Sequence, residues 1–147
     1  FPENNIYEDR IVMHMWILQC KQVVWVDKVF YHYVERNSSI CHLITPLNRY
    51  HYFMAEFSRI EFIEKYLLFE GEELLEARNR LIRICFSAFE EFVLLTKPRC
   101  FQKPIRHMRA KFKTILKLPS QELETFYRKR IRKIVYFWPI YYWRHFS

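Results

Sequence analysis

The chain has 147 residues, a single glycine and a formal net charge of +8, and 51% of its residues are hydrophobic. Its length is that of one ordinary domain, and no apolar run is long enough to cross a membrane, so no transmembrane span is expected. The single glycine excludes the glycine-rich loops of nucleotide-binding proteins and gives no Asn-Gly or Asp-Gly hairpin turns, so we expect an all-α fold.

The first predicted helix runs from about Glu8 to Arg36, a segment with no proline or glycine. It is either one long helix or two helices joined by a kink near 20–22, and the valine-rich stretch 23–26 also has the composition of a strand. Apolar residues recur at roughly helical spacing along the segment, at Ile11, Met15, Leu18, Val26, Val29, Phe30 and Tyr33.

A second helix is predicted to begin at Thr45 and Pro46. Threonine is a good N-cap, and proline suits the first helical position because its missing N–H is not needed there. The helix should run to about Phe57. Ser58, with Glu61 three residues later, forms a capping box that either starts a new helix or lies inside a continuous one.

The clearest helical pattern runs from about Arg59 to Thr96 and ends before Pro98, and a helix of that length is expected to contain a bend. Gly71 lies on its apolar stripe, where a mid-helix glycine costs about 1 kcal/mol relative to alanine. A close approach to the backbone, a break in the helix or chance would each explain it. The stripe has steps of three and four residues: Ile60, Ile63, Leu67, Gly71, Leu74, Ala77, Leu81, Cys85, Ala88 and Phe92.

Two further helices are predicted after Pro98, followed by an aromatic tail. Ser120 should cap a helix from Gln121 to about Phe137, which Pro139 stops. The helix before it opens at Pro104 and has an apolar side made of Ile105, Met108, Phe112 and Ile115.

The charge is concentrated in the C-terminal third. Residues 97–133 contain 13 Lys or Arg and 2 Glu, a balance of +11, so the rest of the chain carries −3. This basic region is suited to nucleic-acid phosphates, an acidic protein or lipid headgroups, and a solvated helix face is the competing interpretation. Its predicted docking residues are Arg106, Arg109, Lys113, Lys117, Arg128, Lys129, Arg130, Arg132 and Lys133.

The sequence gives little indication of catalysis or metal binding. The glutamates at 70–76 are typical of a solvated helix face, and the six histidines show no His-x-x-x-His spacing. We therefore predict no catalytic residue, no metal and no directly bound cofactor. The four widely spaced cysteines are expected to be reduced and mostly buried.

Three local patterns resemble the LYR-motif superfamily of small mitochondrial three-helix proteins. Phe30, Tyr31 and His32 fall where the family has Leu-Tyr-Arg near the end of its first helix. The second-helix pattern matches Arg49-Tyr50 and Phe57-Ser58-Arg59. The third-helix pattern matches Ile63, Leu67, Leu68, Gly71, Leu74 and Leu75.

The resemblance implies a non-enzymatic accessory subunit that docks mitochondrial acyl carrier protein. The carrier is acidic, so its predicted contacts are His32, Arg36, Arg49 and Arg59. Its acyl-phosphopantetheine would enter a gap between helices at Gly71, lined by Leu67 and Leu74.

We therefore expect a three-helix core over 1–97 and a basic helical extension over 98–147 that packs on or beside it. The expected function is that of an accessory subunit of a large mitochondrial assembly, most simply a respiratory-chain complex of the complex I type, in the matrix or on the matrix face of the inner membrane. The alternatives are a mitochondrial ribosome subunit and a helical nucleic-acid-binding domain that uses the basic third.

Overall fold

The computed structural model describes residues 6–32, 34, 44–96, 102–119 and 123–146. These residues form helices and no strand, so the predicted all-α fold is confirmed for the described part of the chain. The helices are α1 (Glu8–Gln19), α2 (Pro46–Tyr66), α3 (Gly71–Leu95), α4 (Gln102–Ile115), α5 (Thr125–Tyr136) and α6 (Trp138–Phe146).

The start of α2 is the one predicted from Thr45 and Pro46. The Thr45 Oγ1 accepts a hydrogen bond from the Asn48 backbone N–H at 3.2 Å, and Pro46 occupies the first helical position. Ser58 lies inside the continuous helix, where its hydroxyl donates to the Ala55 carbonyl at 2.7 Å. Of the two interpretations of the capping box, the structure therefore shows a continuous helix.

Helices α2 and α3 form an antiparallel hairpin that is tied by an ion pair at each end. Arg49, near the start of α2, pairs with Glu91, near the end of α3, at 2.9 Å. At the other end, Arg78 Nε donates to Glu64 Oε1 at 2.6 Å. Arg78 is almost completely buried, and this carboxylate helps to compensate its charge.

The single helix predicted over Arg59–Thr96 is wrong, because it is interrupted between Tyr66 and Gly71. Leu67 ends α2 in the left-handed conformation, with φ of 49°, and its N–H bonds back to the Ile63 carbonyl. Gly71 begins α3 with φ of +53°, a backbone conformation that glycine adopts at little cost. Of the three explanations for this glycine, the structure supports a helix break.

Gly71 does not lie in a gap between packed helices of the described structure, and the acyl-chain space predicted there stays a prediction. Gly71 is exposed, and a Cβ built on it would meet no atom within 4 Å, so no neighbouring helix needs the space. Leu67 is 77% exposed and Leu74 is half-buried. These residues lie where α2 turns into α3, at the end of the hairpin rather than between packed helices.

The core is built mainly by α2 to α5, with one buried side chain from α6. Phe112 of α4 is fully buried, and its ring centroid lies 5.2 Å from that of Phe53 on α2. On α3, Phe86 and Phe89 lie 5.0 and 5.7 Å from the same ring. Since α1 contributes no buried residue, the predicted three-helix core over 1–97 is not confirmed.

The last three helices differ from prediction mainly at their ends. The predicted α4 stripe is confirmed, since all four of its residues are buried. Helix α5 begins at Thr125 rather than Gln121, and the proposed cap Ser120 lies outside the described residues. Helix α5 ends at Tyr136, within one residue of the predicted end, and Pro139 occupies the second position of the next helix, α6, where proline is tolerated.

The first helix ends beside the kink predicted near 20–22, but no second helix follows it in residues 20–32. It ends at Gln19, and the described residues after it, 20–32, are not helical. The β-branched valines at 23, 24 and 26 disfavour helix because their side chains lose χ1 freedom against the preceding turn. The predicted end, Arg36, and Tyr33 of the predicted stripe lie outside the described residues.

Opposite substitutions at the two left-handed positions should have opposite effects on stability. We expect Gly71→Ala to lower the free energy of unfolding by about 1–2 kcal/mol, because φ of +53° strains any L-residue with a Cβ. A glycine in the middle of a helix would give the opposite result, because its replacement by alanine raises the free energy of unfolding by about 1 kcal/mol. Leu67→Gly should raise stability by up to about 1 kcal/mol, because the leucine is exposed and loses little packing.

Urea denaturation of both variants measures these changes. Glu72→Ala, at an exposed position in the first turn of α3, is the control for a change of side chain without a change of backbone strain. A stabilised Gly71→Ala variant would contradict the left-handed assignment.

Candidate partner-binding site

Residues 20–32, here called the N-terminal arm, carry a dense series of exposed apolar side chains. Trp25 is 91% exposed and Phe30 is 78% exposed. The series continues from exposed residues on α1, so the apolar surface spans both segments, as is typical of interaction sites. The other exposed apolar residues are Met13, Met15, Trp16, Ile17 and Leu18 on α1, and Val23, Val24, Val26, Val29 and Tyr31 in the arm.

Helix α1 packs on α2 through a polar and aromatic face. Tyr7 meets Tyr52 edge-on with ring centroids 5.2 Å apart, and His14 meets Phe62 at 4.3 Å. Because positions 7 and 14 contact positions 52 and 62 in the same order, the two helices run parallel. Of the predicted stripe on α1, Met15 and Leu18 are exposed, so the aliphatic side is left for other contacts.

Glu56 of α2 forms a partly buried ion pair with α1. Its carboxylate is fully buried, and Oε1 accepts from Arg10 at 2.6 Å while Oε2 accepts from Arg59 at 2.9 Å. Two guanidiniums therefore compensate one buried charge. Burial, and secondly the nearby Arg59 charge, lower the pKa of His14, which favours the neutral imidazole.

The four predicted carrier contacts do not lie on one helical face. His32 is exposed in the N-terminal arm, and Arg36 lies outside the described residues. Arg49 and Arg59 are ten residues apart on α2, about 15 Å along its axis. Each is already ion-paired, with Glu91 and Glu56 respectively.

The family patterns are also placed differently from the prediction. Phe30, Tyr31 and His32 are on no helix. The third-helix pattern is divided, since Ile63 belongs to α2 and Gly71 begins α3.

Three of the nine predicted docking cations stabilise the fold instead. Arg109 of α4 donates to the carbonyls of Ile134 and Val135 at 2.9 and 2.6 Å, near the end of α5. Arg128 donates to the carbonyls of Leu118 and Pro119 at 2.8 and 2.7 Å, in the turn after α4. Arg109 therefore satisfies carbonyls that the end of α5 leaves unpaired, and Arg128 satisfies carbonyls of the turn.

Arg130 joins α5 to α3 and α6. Its guanidinium pairs with Glu90, and the same carboxylate oxygen accepts from the Tyr141 hydroxyl at 2.8 Å. The guanidinium also lies 4.8 Å from the centre of the Phe86 ring, a cation–π distance. The six remaining docking residues are exposed: Arg106, Lys113, Lys117, Lys129, Arg132 and Lys133.

Two surface clefts lie away from the N-terminal arm. A polar cleft of about 490 Å³ between α3 and the start of α5 contains both signs of charge, from Glu72, Glu76, Glu124, Arg80 and Arg83. That mixture favours no particular class of ligand. A smaller cleft of about 280 Å³ lies between α5 and α6 and is apolar, with a cation at each side.

Among the described residues, no group of three His, Cys, Asp or Glu side chains is arranged to hold a metal ion. No described helix is both long and apolar enough to cross a bilayer. Cys20 is exposed and Cys85 is buried, and burial raises the pKa of the Cys85 thiol well above its usual value. Cys41 and Cys100 lie outside the described residues.

No family model matches this chain, and no curated protein or solved structure is significantly similar to it. The resemblance to the LYR-motif superfamily therefore stays a prediction that rests on the three sequence patterns alone.

Removing both partners of Glu56 should be strongly destabilising. The double variant Arg10→Met, Arg59→Met leaves a fully buried carboxylate without compensation, which should cost about 3–5 kcal/mol in urea denaturation. The control is Lys111→Met, whose pair with Glu61 is surface-exposed and should be worth about 1 kcal/mol or less. Equal losses in the two variants would contradict a special role for Glu56.

Neighbouring arginines on α4 should differ sharply in their effect on stability. Arg109→Met removes two charge-assisted bonds to α5 carbonyls and should cost about 1.5–3 kcal/mol. Arg106→Met, at an exposed position less than one turn away, should change stability by less than about 0.5 kcal/mol. Chemical denaturation of both variants tests this, and an equal effect would show that Arg109 does not hold α5.

Proposed function

We propose that this chain is a non-catalytic accessory subunit that joins a larger protein assembly through α1 and the N-terminal arm. The observation that carries the proposal is the exposed apolar series of the arm, in which Trp25 and Phe30 are almost fully accessible. Exposure of this much apolar surface to water costs free energy, and a partner that covers the surface removes that cost.

The chemistry of the arm suits a protein partner. Trp and Tyr are the residues that most often dominate interface energies, and the arm and α1 supply Trp16, Trp25 and Tyr31. The arm has one acidic and two basic residues, Asp27, Lys21 and Lys28, so it has no strong charge preference. An interface of this composition is held mainly by apolar burial.

A non-catalytic role is supported by the state of the most deeply buried carboxylate. Glu56 is fully buried and engaged by two guanidiniums, an arrangement that holds α1 on α2. A carboxylate that acts as a general acid or base needs access to a substrate proton.

The proposed setting is a mitochondrial respiratory-chain complex of the complex I type, which follows from the LYR resemblance. In that setting an acidic acyl carrier protein remains a candidate second partner. Because Arg49 and Arg59 are ion-paired within the chain, a carrier that contacts them must compete with Glu91 and Glu56. We therefore give the N-terminal arm as the principal assembly contact.

A ribosomal or other RNA-binding role is the alternative, and one observation favours it. Six of the nine cations of the predicted docking patch are exposed on or just after α4 and on α5, where they are available for phosphate. The other three, all arginines, bond within the chain, so fewer cations are available to RNA than the sequence predicts.

Isolation of the chain from its native source tests the proposed function. We expect mass spectrometry to find protein companions in stoichiometric amounts. The double variant Trp25→Asp, Phe30→Asp should lose them, because each change at an interface hot spot weakens binding by about 2 kcal/mol or more. Leu94→Asp, at a residue near the end of α3 that is 67% exposed, is the control and should retain them.

The remaining outcomes distinguish the alternatives. A companion that carries a phosphopantetheine mass and is lost in the Arg49→Glu variant would identify acyl carrier protein as a second partner. A monomeric chain without companions that binds RNA with steep salt dependence would replace the proposal by the RNA-binding role.

A further inference from the structure

Helix α6 exposes apolar side chains on the face that points away from the protein. Its inner face is already in use, since Tyr141 is buried and Trp138 and Tyr142 pack against the core. On the outer face, Ile140 is 64% exposed and Trp143 is 73% exposed. A helix docked through one face normally presents polar residues on the other, so these side chains require a second explanation.

The outer face of α6 is continuous with the apolar cleft between α5 and α6. The cleft has a volume of about 280 Å³ and is lined by Phe137, Ile140 and Tyr141, with Lys133 on one side and Arg144 on the other. Just before Phe137, Tyr136 is also exposed. Aromatic rings, an aliphatic side chain and two cations therefore share one surface.

The charge of this surface has a single sign. No Asp or Glu occurs from residue 125 to the end of the given sequence, and Lys129 and Arg132 add two exposed cations on α5. Glu90 of α3 also reaches this part of the chain, where it pairs with Arg130 and accepts from the Tyr141 hydroxyl. The residues that line the cleft therefore include two cations and no Asp or Glu.

We propose that α6 and the adjoining face of α5 dock on a bilayer surface that contains anionic lipid. Ile140, Trp143 and Phe137 would enter the headgroup–acyl boundary, and Lys133 and Arg144 would remain at the level of the lipid phosphates. Trp and Tyr favour this boundary because each ring has an apolar body and a polar tip. The helix lies on the surface, since nine residues are too few to span a bilayer.

Charge separates this surface from the N-terminal arm. Both are apolar and exposed, but the arm contains charges of both signs, whereas the α5–α6 surface has cations alone. Charge complementarity therefore selects an anionic surface for α5–α6. The apolar cleft between the cations favours lipid over RNA, because an acyl chain fills it and a phosphate backbone does not.

Vesicle flotation of the full chain tests the proposal. We expect binding to vesicles of phosphatidylcholine with phosphatidylglycerol, weak binding to phosphatidylcholine alone, and weakening by salt. Lys133→Gln and Arg144→Gln should each weaken binding by about fivefold. Ile140→Ser and Trp143→Ser should each weaken it by about tenfold or more.

Matched controls are available on other parts of the surface. Trp25→Ser removes a more exposed tryptophan, and Lys113→Gln removes a cation outside the cleft, and neither should change flotation. Circular dichroism should show that all variants stay folded. Absence of binding to anionic vesicles, or equal effects of Trp25→Ser and Trp143→Ser, would overturn the proposal.

Binding to single-stranded RNA in place of anionic vesicles would also overturn it and would assign the cations to phosphate backbones. These outcomes are independent of the proposed function, which depends on the N-terminal arm.

Discussion

The fold depends on Phe112, because its ring is the place where the C-terminal helices meet the α2–α3 hairpin. Rings from both hairpin helices surround it, at 5.2 Å from α2 and at 5.0 and 5.7 Å from α3. Such contacts combine burial of a large apolar area with edge-on and stacked ring geometry. Without them the hairpin would expose one side, so the basic helices are part of the core and not a separate extension.

Much of the bundle could be predicted because helical periodicity records which side of a helix is buried. The four core residues of α4 and the Thr45 cap follow directly from spacing and capping chemistry. The break before Gly71 could not be located, because the left-handed turn is made partly by Leu67, a residue that gives no turn signal. The end of α1 was predicted only as one of two alternatives, a kink near 20–22, because apolar spacing alone does not exclude a helix that continues to Arg36.

The candidate site was less predictable, because a charge count does not show where a side chain points. Arg109 and Arg106 are neighbouring arginines of the same predicted patch, yet Arg109 bonds to α5 and Arg106 is exposed. The three internally bound cations are all arginines. A planar guanidinium can donate to two carbonyls at once, or bond to a carboxylate while it stacks on a ring. Four of the six cations left at the surface are lysines, which are more strongly hydrated.

The way α1 is attached to α2 affects how fast its amide hydrogens exchange with solvent. This helix buries none of its residues and is held by rings and by the buried charge of Glu56, so its opening need not disturb the phenylalanine core. Its amide protons should therefore exchange through local opening, at a free energy well below that of global unfolding. If α1 binds a partner as proposed, that partner should slow the exchange, because binding to the closed helix stabilises it against local opening.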